Sequence, residues 1–303
     1  FSADWHRMEV TAFPLSKEYE KHSDITPDDI ARLREWLKTQ PHLPEQHITD
    51  LDLILIYHCC DRSTSVTKDV TDLYFTLRSL FASFFKDRDV DKRVTKAFEI
   101  TLLCPLKERA IDGSAFFYGR LLDYDAKNFV FCDVMKSVIM MLDLWQYEDG
   151  TWPGFMISID MDHVTLAHLA RLDVTTIQQF LYYLQEAMLV KLKAVHFLNA
   201  PSFMDKLMMM LKPFMKKQLL DMLFIHQIGS NTLAKFIDMK FLPKQDEFQT
   251  RRDEIWEKIK ANRQFFLDEN RKRVVESKRP GKAKTISDIF GSVEGSFKKL
   301  DID

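Results

Sequence analysis

The chain has 303 residues with 43 basic against 45 acidic side chains, a formal net charge of -2. That balance excludes a general nucleic-acid binder, whose domain carries a clear basic excess. Apolar residues at 46%, with 24 Phe, leave too much surface to bury for a disordered chain, and 8 Gly with 10 Pro disfavour a turn-dense all-β fold.

The first third reads as helices. Thr26-Pro27-Asp28-Asp29 has the layout of a helix start: a Thr cap, Pro at the first position and acids in the first turn. Ile30, Leu33, Trp36 and Leu37 follow at helical spacing, and Pro41 and Pro44 end the run. Thr49-Asp50 opens a second helix, with Leu51, Leu55, Ile56 and Cys59 recurring. Residues 66–85 make a third, with Val70, Leu73, Leu77, Leu80, Phe81 and Phe84 on one side. A helical bundle is therefore expected over residues 1–88.

After Asp89 short strand-like runs alternate with helices. Asp112-Gly113-Ser114 is a turn signal joining strands at 102–109 and 115–122. A helix at 130–145 precedes a buried strand at 155–161 (FMISIDM). A helix at 174–189, a strand at 191–199, a helix at 202–214 and a strand at 222–226 (MLFIH) follow. Strand and helix in alternation imply crossover units and a mostly parallel sheet, so residues 89–248 form an α/β domain. Residues 249–303 read as the rest of a long charged helix from Glu247 to about Ser277, then a flexible tail.

Much familiar chemistry is missing. Cys59, Cys60, Cys104 and Cys132 have no framework spacing and read as free thiols in a reducing compartment. No run approaches the ~20 apolar residues of a membrane span. Phe1-Ser2-Ala3-Asp4 lacks a signal-peptide layout, so an intracellular, soluble protein is the default expectation. Nucleotide phosphate loops and a nucleophile elbow are absent, and His163 and His168 miss the i, i+4 spacing of a helical zinc pair. Asp160-Met161-Asp162 closes strand 155–161 and has two readings. It is a strand-end turn in which Asp caps the next segment, or a divalent-metal site of a transferase.

The positive signal is width of apolar face. Met135, Val138, Ile139 and Leu142 share one helix face; Phe180, Leu184 and Met188 share another, with Tyr183 beside them. Phe203, Leu207, Met210, Leu211 and Phe214 form a third stripe, widened by Met204, Met208 and Met209. Core packing accounts for any one stripe. Three of them, rich in Met and Phe around one sheet, suit an adaptable lipid pocket or an exposed binding surface.

The segment 190–201 (VKLKAVHFLNAP), followed by Leu211-Lys212-Pro213-Phe214, resembles the signature of the CRAL-TRIO lipid-carrier family. In that family a basic-apolar strand ends in Leu/Ile-Asn-x-Pro, and a gate helix ends in Lys-Pro-Phe. The apolar strand closing on Asp at 155–162 resembles a second hallmark. Spacing within the family is most similar to the tocopherol- and retinaldehyde-carrying branch. The family's Leu-Pro-x-Glu-Tyr-Gly-Gly segment departs here to Leu242-Pro243-Lys244-Gln245-Asp246-Glu247-Phe248.

The resemblance implies a non-catalytic cytoplasmic carrier without cofactor or metal, peripheral and transient at membranes, with no stable protein partner. Its cargo would be one hydrophobic isoprenoid, best α-tocopherol, otherwise a retinoid or phospholipid. It places ligand contacts at Met135, Val138, Ile139, Leu142, Phe155, Ile159, Leu172, Phe180, Tyr183, Leu184, Met188, Val190 and Val195. Val138 and Leu142 stand where the tocopherol carriers have Ser. The cargo's hydroxyl then needs another partner: Tyr183, Tyr118 or a backbone carbonyl. The gate would be Phe203, Leu207, Met210, Leu211 and Phe214. Phosphoinositide contacts fall on Arg78, Lys191 and Lys193, with Lys216 and Lys217 as nearby substitutes; a solvated basic face is the plain alternative. Two rivals of other classes stand beside the carrier: the metal-dependent transferase using Asp160 and Asp162, and a lipid-free adaptor that binds protein through an apolar stripe.

Overall fold

The computed structural model describes residues 8–22 and 24–291; Phe1 to Asp4 and the end of the tail, residues 292–303, lie outside it. Helices α1 (Leu15–Lys21), α2 (Pro27–Lys38), α3 (Asp50–Cys59), α4 (Thr64–Leu80) and α5 (Ala82–Phe85) build the N-terminal bundle. The expected starts at Thr26 and Thr49 are both capping boxes. The Thr26 hydroxyl accepts from the Asp29 amide while the Asp29 carboxylate accepts from the Thr26 amide, and Thr49 and Asp52 repeat the exchange. Periodicity missed α1, and it missed α6 (Lys92–Ile100), started by Asp91 accepting from the amides of Arg93 and Val94.

Five strands follow in spatial order β1-β2-β3-β4-β5. They are β1 (Thr101–Pro105), β2 (Ala115–Leu121), β3 (Phe155–Asp160), β4 (Leu192–Ala200) and β5 (Leu223–Gln227). β1 and β2 are antiparallel, with Cys104 opposite Tyr118; the other pairs are parallel. The crossovers carry α7 (Phe131–Asp149), then α8 (Leu166–Leu169) with α9 (Val174–Glu186), then α10 (Met204–Leu211) with α11 (Lys217–Asp221). A sheet that grows one way by crossovers of one hand stacks its crossover helices on one face. On the other face His196 and Phe224 pack against Phe236.

The end of the chain corrects two expectations. The long helix breaks into α12 (Phe248–Ala261) and α13 (Arg263–Glu269). At the break, the Asn262 amide nitrogen donates to the Lys258 and Met8 carbonyls and its oxygen accepts from the Val10 amide, tying the N-terminal segment to the helix end. The tail is not loose through residues 278–291. Arg279 donates to Asp72 and Thr76, and α14 (Ile286–Phe290) stacks Phe290 on Phe81 with ring centroids 5.8 Å apart.

Candidate ligand cavity

Between the sheet and its crossover helices lies a cavity of about 240 Å³ with an apolar wall. Its floor is the near face of the sheet, including Phe117, Gly119, Ile157, Ile159, Val195 and Phe197. Helix α7 contributes Val134, Met135, Val138 and Leu142, a stripe at helical spacing, and α9 contributes Ile177, Phe180, Leu181 and Leu184. The roof is Leu207 and Leu211 of α10, with Met215 and Leu219 beyond it. Space on this scale exceeds the ~150 Å³ apolar cavity that stays dry and takes up benzene. Met135, Met161 and Met215 let the wall adapt, because an unbranched thioether reshapes at little cost.

Polar groups gather at one end, beside the carboxyl ends of the central strands. The Asp160 carboxylate accepts from the Tyr118 hydroxyl (2.6 Å), Arg120 (3.0 Å), the Asn199 side chain (2.8 Å) and the Asp162 amide (3.0 Å). Asn199 holds a left-handed backbone, φ 50°, to reach it. One carboxylate thus clasps β2, β3 and β4, and Arg120 also stacks on the Phe248 ring at 4.1 Å. Asp160-Met161-Asp162 is therefore the strand-end turn. Both Asp160 oxygens are taken by protein donors, Asp162 pairs with Arg120, and no cluster of metal-ligating side chains occurs among the described residues.

Residues 101–246 match the family model of the CRAL/TRIO domain. The chain carries a CRAL/TRIO domain. Residues 22–95, covering α2 to α5 and the start of α6, match the Pinta-like UBA domain. Clavesin-1 of Mus musculus is 22% identical over 241 residues, 75% of this chain and 65% of the relative. Clavesin-2 of Homo sapiens is 23% identical over 185 residues, 57% of this chain and 56% of the relative. The chain thus matches less than two thirds of these relatives' length. These matches support the domain family and lend no support to the narrower tocopherol and retinaldehyde branch. The crystal structure of Sfh5 aligns with TM-score 0.43 and 11% identity, over 75% of this chain and 92% of Sfh5.

Within the CRAL/TRIO domain, Met135, Val138, Leu142, Ile159, Leu172, Phe180, Leu184 and Val195 lie on the cavity wall, as do Leu207 and Leu211 of the expected gate. Five expected ligand contacts fall elsewhere. Ile139 is buried one residue off the α7 stripe, and Phe155 is at the far end of its strand, stacked on Trp152. Tyr183 points the other way along α9, packing against Tyr74 and Phe85 of the N-terminal bundle. Met188 and Val190 follow α9, past the wall. Phe203, Met210 and Phe214 of the gate are also off the wall: Phe203 precedes α10, Met210 lies on α10 off the Leu207–Leu211 face, and Phe214 lies in the 3-10 turn Lys212–Phe214 that contains Pro213. Neither hydroxyl proposed for the cargo is free to serve it: Tyr118 donates to Asp160, and Tyr183 is outside the wall.

Arg78 is corrected outright. It is 1% exposed, paired with Glu269 at 2.6 Å and Asp143 at 3.2 Å, and cannot meet a membrane phosphate in this conformation. The four lysines are differently placed. Lys193, Lys216 and Lys217 are exposed and Lys191 half-buried; Lys191 pairs with Asp61 and Lys217 with Asp221, and Lys216 contacts Glu186. Lys191 and Lys193 enter β4, and Lys216 and Lys217 precede β5. Because these strands are parallel, all four sit at one end of the sheet.

Sequence reasoning missed β1 and β2 as wall elements, since Thr101, Leu103 and Phe117 alternate within continuously buried strands. It also missed His168, noticed only as half of a failed zinc pair. His168 is 2% exposed and lines the cavity, and burial, reinforced by Arg171, holds its imidazole below the usual value.

Proposed function

We propose that the chain carries one neutral hydrophobic molecule in this cavity and delivers it to membranes by displacing α10. The observation that carries the reading is an apolar cavity in a CRAL/TRIO domain, roofed by a short helix with a Pro213 break after it. The charged side chains on the wall, Arg120 and Asp160, are already paired with each other, so a buried carboxylate or phosphate would have no counter-charge. A tocopherol-type isoprenoid fits that chemistry best, and a retinoid next. Native mass spectrometry of freshly purified protein tests the reading: a co-purified neutral lipid is expected. A bound divalent metal, or a chain that stays empty when offered lipid vesicles, would reject it. Competition binding is expected to rank α-tocopherol above a fatty acid of similar length. The reverse order would reject the tocopherol class of cargo while leaving the carrier.

Delivery rests on the lysines at one end of the sheet and on Met209 of α10, an apolar side chain 74% exposed. Each basic group near an anionic surface contributes ~1 kcal/mol before screening by salt. The membrane opens the gate only if it binds the open form better than the closed one. Changing Lys191 and Lys193 to Ala is expected to slow transfer of a fluorescent tocopherol to phosphoinositide vesicles several-fold, with equilibrium affinity unchanged. Equal transfer rates for variant and parent would make this basic end solvated surface. No helix among the described residues is long and apolar enough to cross a membrane.

A further inference from the structure

The roof of the cavity is tied to the rest of the protein at one place. Leu207, Leu211, Met215 and Leu219 recur at every fourth residue, and all four line the cavity. This apolar stripe runs through the Pro213 turn, from α10 into α11. Segment 203–221 also makes turns with the residues that join it to β4 and β5. Among the described residues, its other outgoing hydrogen bonds all run to one side chain, Gln185 of α9.

The Gln185 carboxamide grips the chain on both sides of Met215. Its Nε2 donates to the Phe214 carbonyl at 3.0 Å, and its Oε1 accepts from the Lys216 amide at 2.7 Å. The second Nε2 proton goes to the Leu181 carbonyl at 2.8 Å, so the carboxamide is fixed by its own helix. A flipped amide would face carbonyl with oxygen and N–H with nitrogen, so the partners set its orientation. One residue on, Glu186 pairs with the Lys216 ammonium. Two adjacent side chains thus hold the same turn, one by its backbone and one by its charge. Gln185 and Glu186 are half-buried and Lys216 is exposed, so solvent reaches this contact.

We propose that Gln185 and Glu186 are the latch of the roof, holding Met215 against the cavity, and that an anionic surface releases it by taking Lys216 from Glu186. The proposal rests on the carrier reading above and adds where the roof parts: at the turn after α10. Such a latch is reversible. When the turn leaves Gln185, water satisfies both partners, so the closed form is favoured only by the small net worth of exposed hydrogen bonds. The ion pair is equally exchangeable, because a half-exposed pair is weak and screened by salt. It also supplies the differential affinity that opening needs. Lys216 is neutralised by Glu186 in the closed form and free in the open one, so a phosphate-bearing surface binds the open form better.

The test follows phytol, a branched C20 alcohol, between the protein and vesicles. Gln185→Met removes both bonds to the turn at similar side-chain size. Release into phosphatidylcholine vesicles is expected to be about tenfold faster than from the parent, the factor for lost hydrogen bonds of this kind. Uptake should quicken by the same factor, because the latch closes the empty and the loaded form alike, and affinity should stay within about threefold. Damage to the pocket would instead speed release alone and weaken affinity. Glu186→Gln is expected to speed release into phosphatidylcholine vesicles about two- to threefold, and to shrink the further acceleration that phosphoinositide gives the parent. Amide hydrogen exchange tests the latch without cargo: Lys216 should exchange about tenfold faster in Gln185→Met, with Ile157 of β3 unchanged. Unchanged release from Gln185→Met, or unchanged exchange at Lys216, would overturn the latch. An undiminished phosphoinositide effect in Glu186→Gln would overturn release through Lys216. Failure of the parent to take up phytol would overturn the carrier reading instead, and the exchange measurement would still decide the latch.

Discussion

Arg78→Met is expected to lower the unfolding free energy by about 3–5 kcal/mol, the usual cost of removing one partner from a buried ion network. Arg78 Nη2 meets Glu269 at 2.6 Å, and Nη1 meets Asp143 at 3.2 Å and the Tyr74 hydroxyl at 2.8 Å. Arg88 holds the same Asp143 at 2.7 Å, and Lys272 bridges Asp52 at 2.8 Å and Glu269 at 2.6 Å. Arg78, Arg88 and Lys272 thus balance Asp52, Asp143 and Glu269, and they join the N-terminal bundle, α7 and the C-terminal helix. Losing one cation strands carboxylate charge in a dry interior. Denaturant titration measures the loss; a change under 1 kcal/mol would show that water reaches the network. Acid should attack the same place. Burial pushes the Glu269 carboxyl up, but Lys272, Arg78 and Arg88 outweigh it and hold it at about 2 against an ordinary 4.5. A folded-state value below the unfolded one means the unfolded chain takes up the proton first. Glu269's contribution is then complete above about 4.5 and is lost as pH falls toward 2. Stability followed from pH 6 to pH 2 should drop through that window in the parent and less steeply in Glu269→Gln.

That network shows why part of the molecule was illegible. Arg78 sits on a helix that apolar spacing located but whose face it misjudged: Thr67, Thr71, Tyr74, Phe75 and Arg78 are buried, Val70, Leu73 and Leu80 only half-buried, and the helix ends at Leu80. Its partner Glu269 is 191 residues away, and nothing local distinguishes a buried arginine from a membrane-facing one. The long charged helix failed for a related reason: α12 and α13 differ from one continuous helix only through Asn262, whose partners are Met8 and Val10 at the opposite end of the chain. The sheet, by contrast, was legible strand by strand. Buried parallel strands need apolar runs, and FMISIDM and KLKAVHFLN have them whatever their neighbours. The site divides along the same line. Helical spacing alone put Val138 and Leu142 on one face, and the wall includes both. Ile139 and Tyr183 belong to equally apolar surfaces facing other neighbours, a choice that rests on packing angles and not on composition. His168 carried no signal of its own, because the neighbours that bury it on the cavity wall lie elsewhere in the chain.

Leu184→Trp is expected to abolish cargo uptake, at least tenfold, while the protein stays folded and loses no more than about 1–2 kcal/mol. Leu184 is 7% exposed and lies on the cavity wall from α9, with Val138 and Leu142 of α7 across the same cavity. An added indole there fills space the cargo would occupy, and Met135 and Met215 can give way around it. Ile139→Trp is the contrasting substitution. Ile139 is 1% exposed and off the wall, so the same ring would enter a packed interior, where side chains sit near crystal density and extra volume forces strained rotamers. It should destabilise the protein by several kcal/mol more than Leu184→Trp does. Chemical denaturation of both variants, beside uptake of phytol from vesicles, separates the two environments. If Leu184→Trp unfolds the protein as readily as Ile139→Trp, the wall is a rigid core with a void in it, and cargo binding there is refuted. If Leu184→Trp folds and still takes up phytol at the parent's affinity, the cargo lies elsewhere.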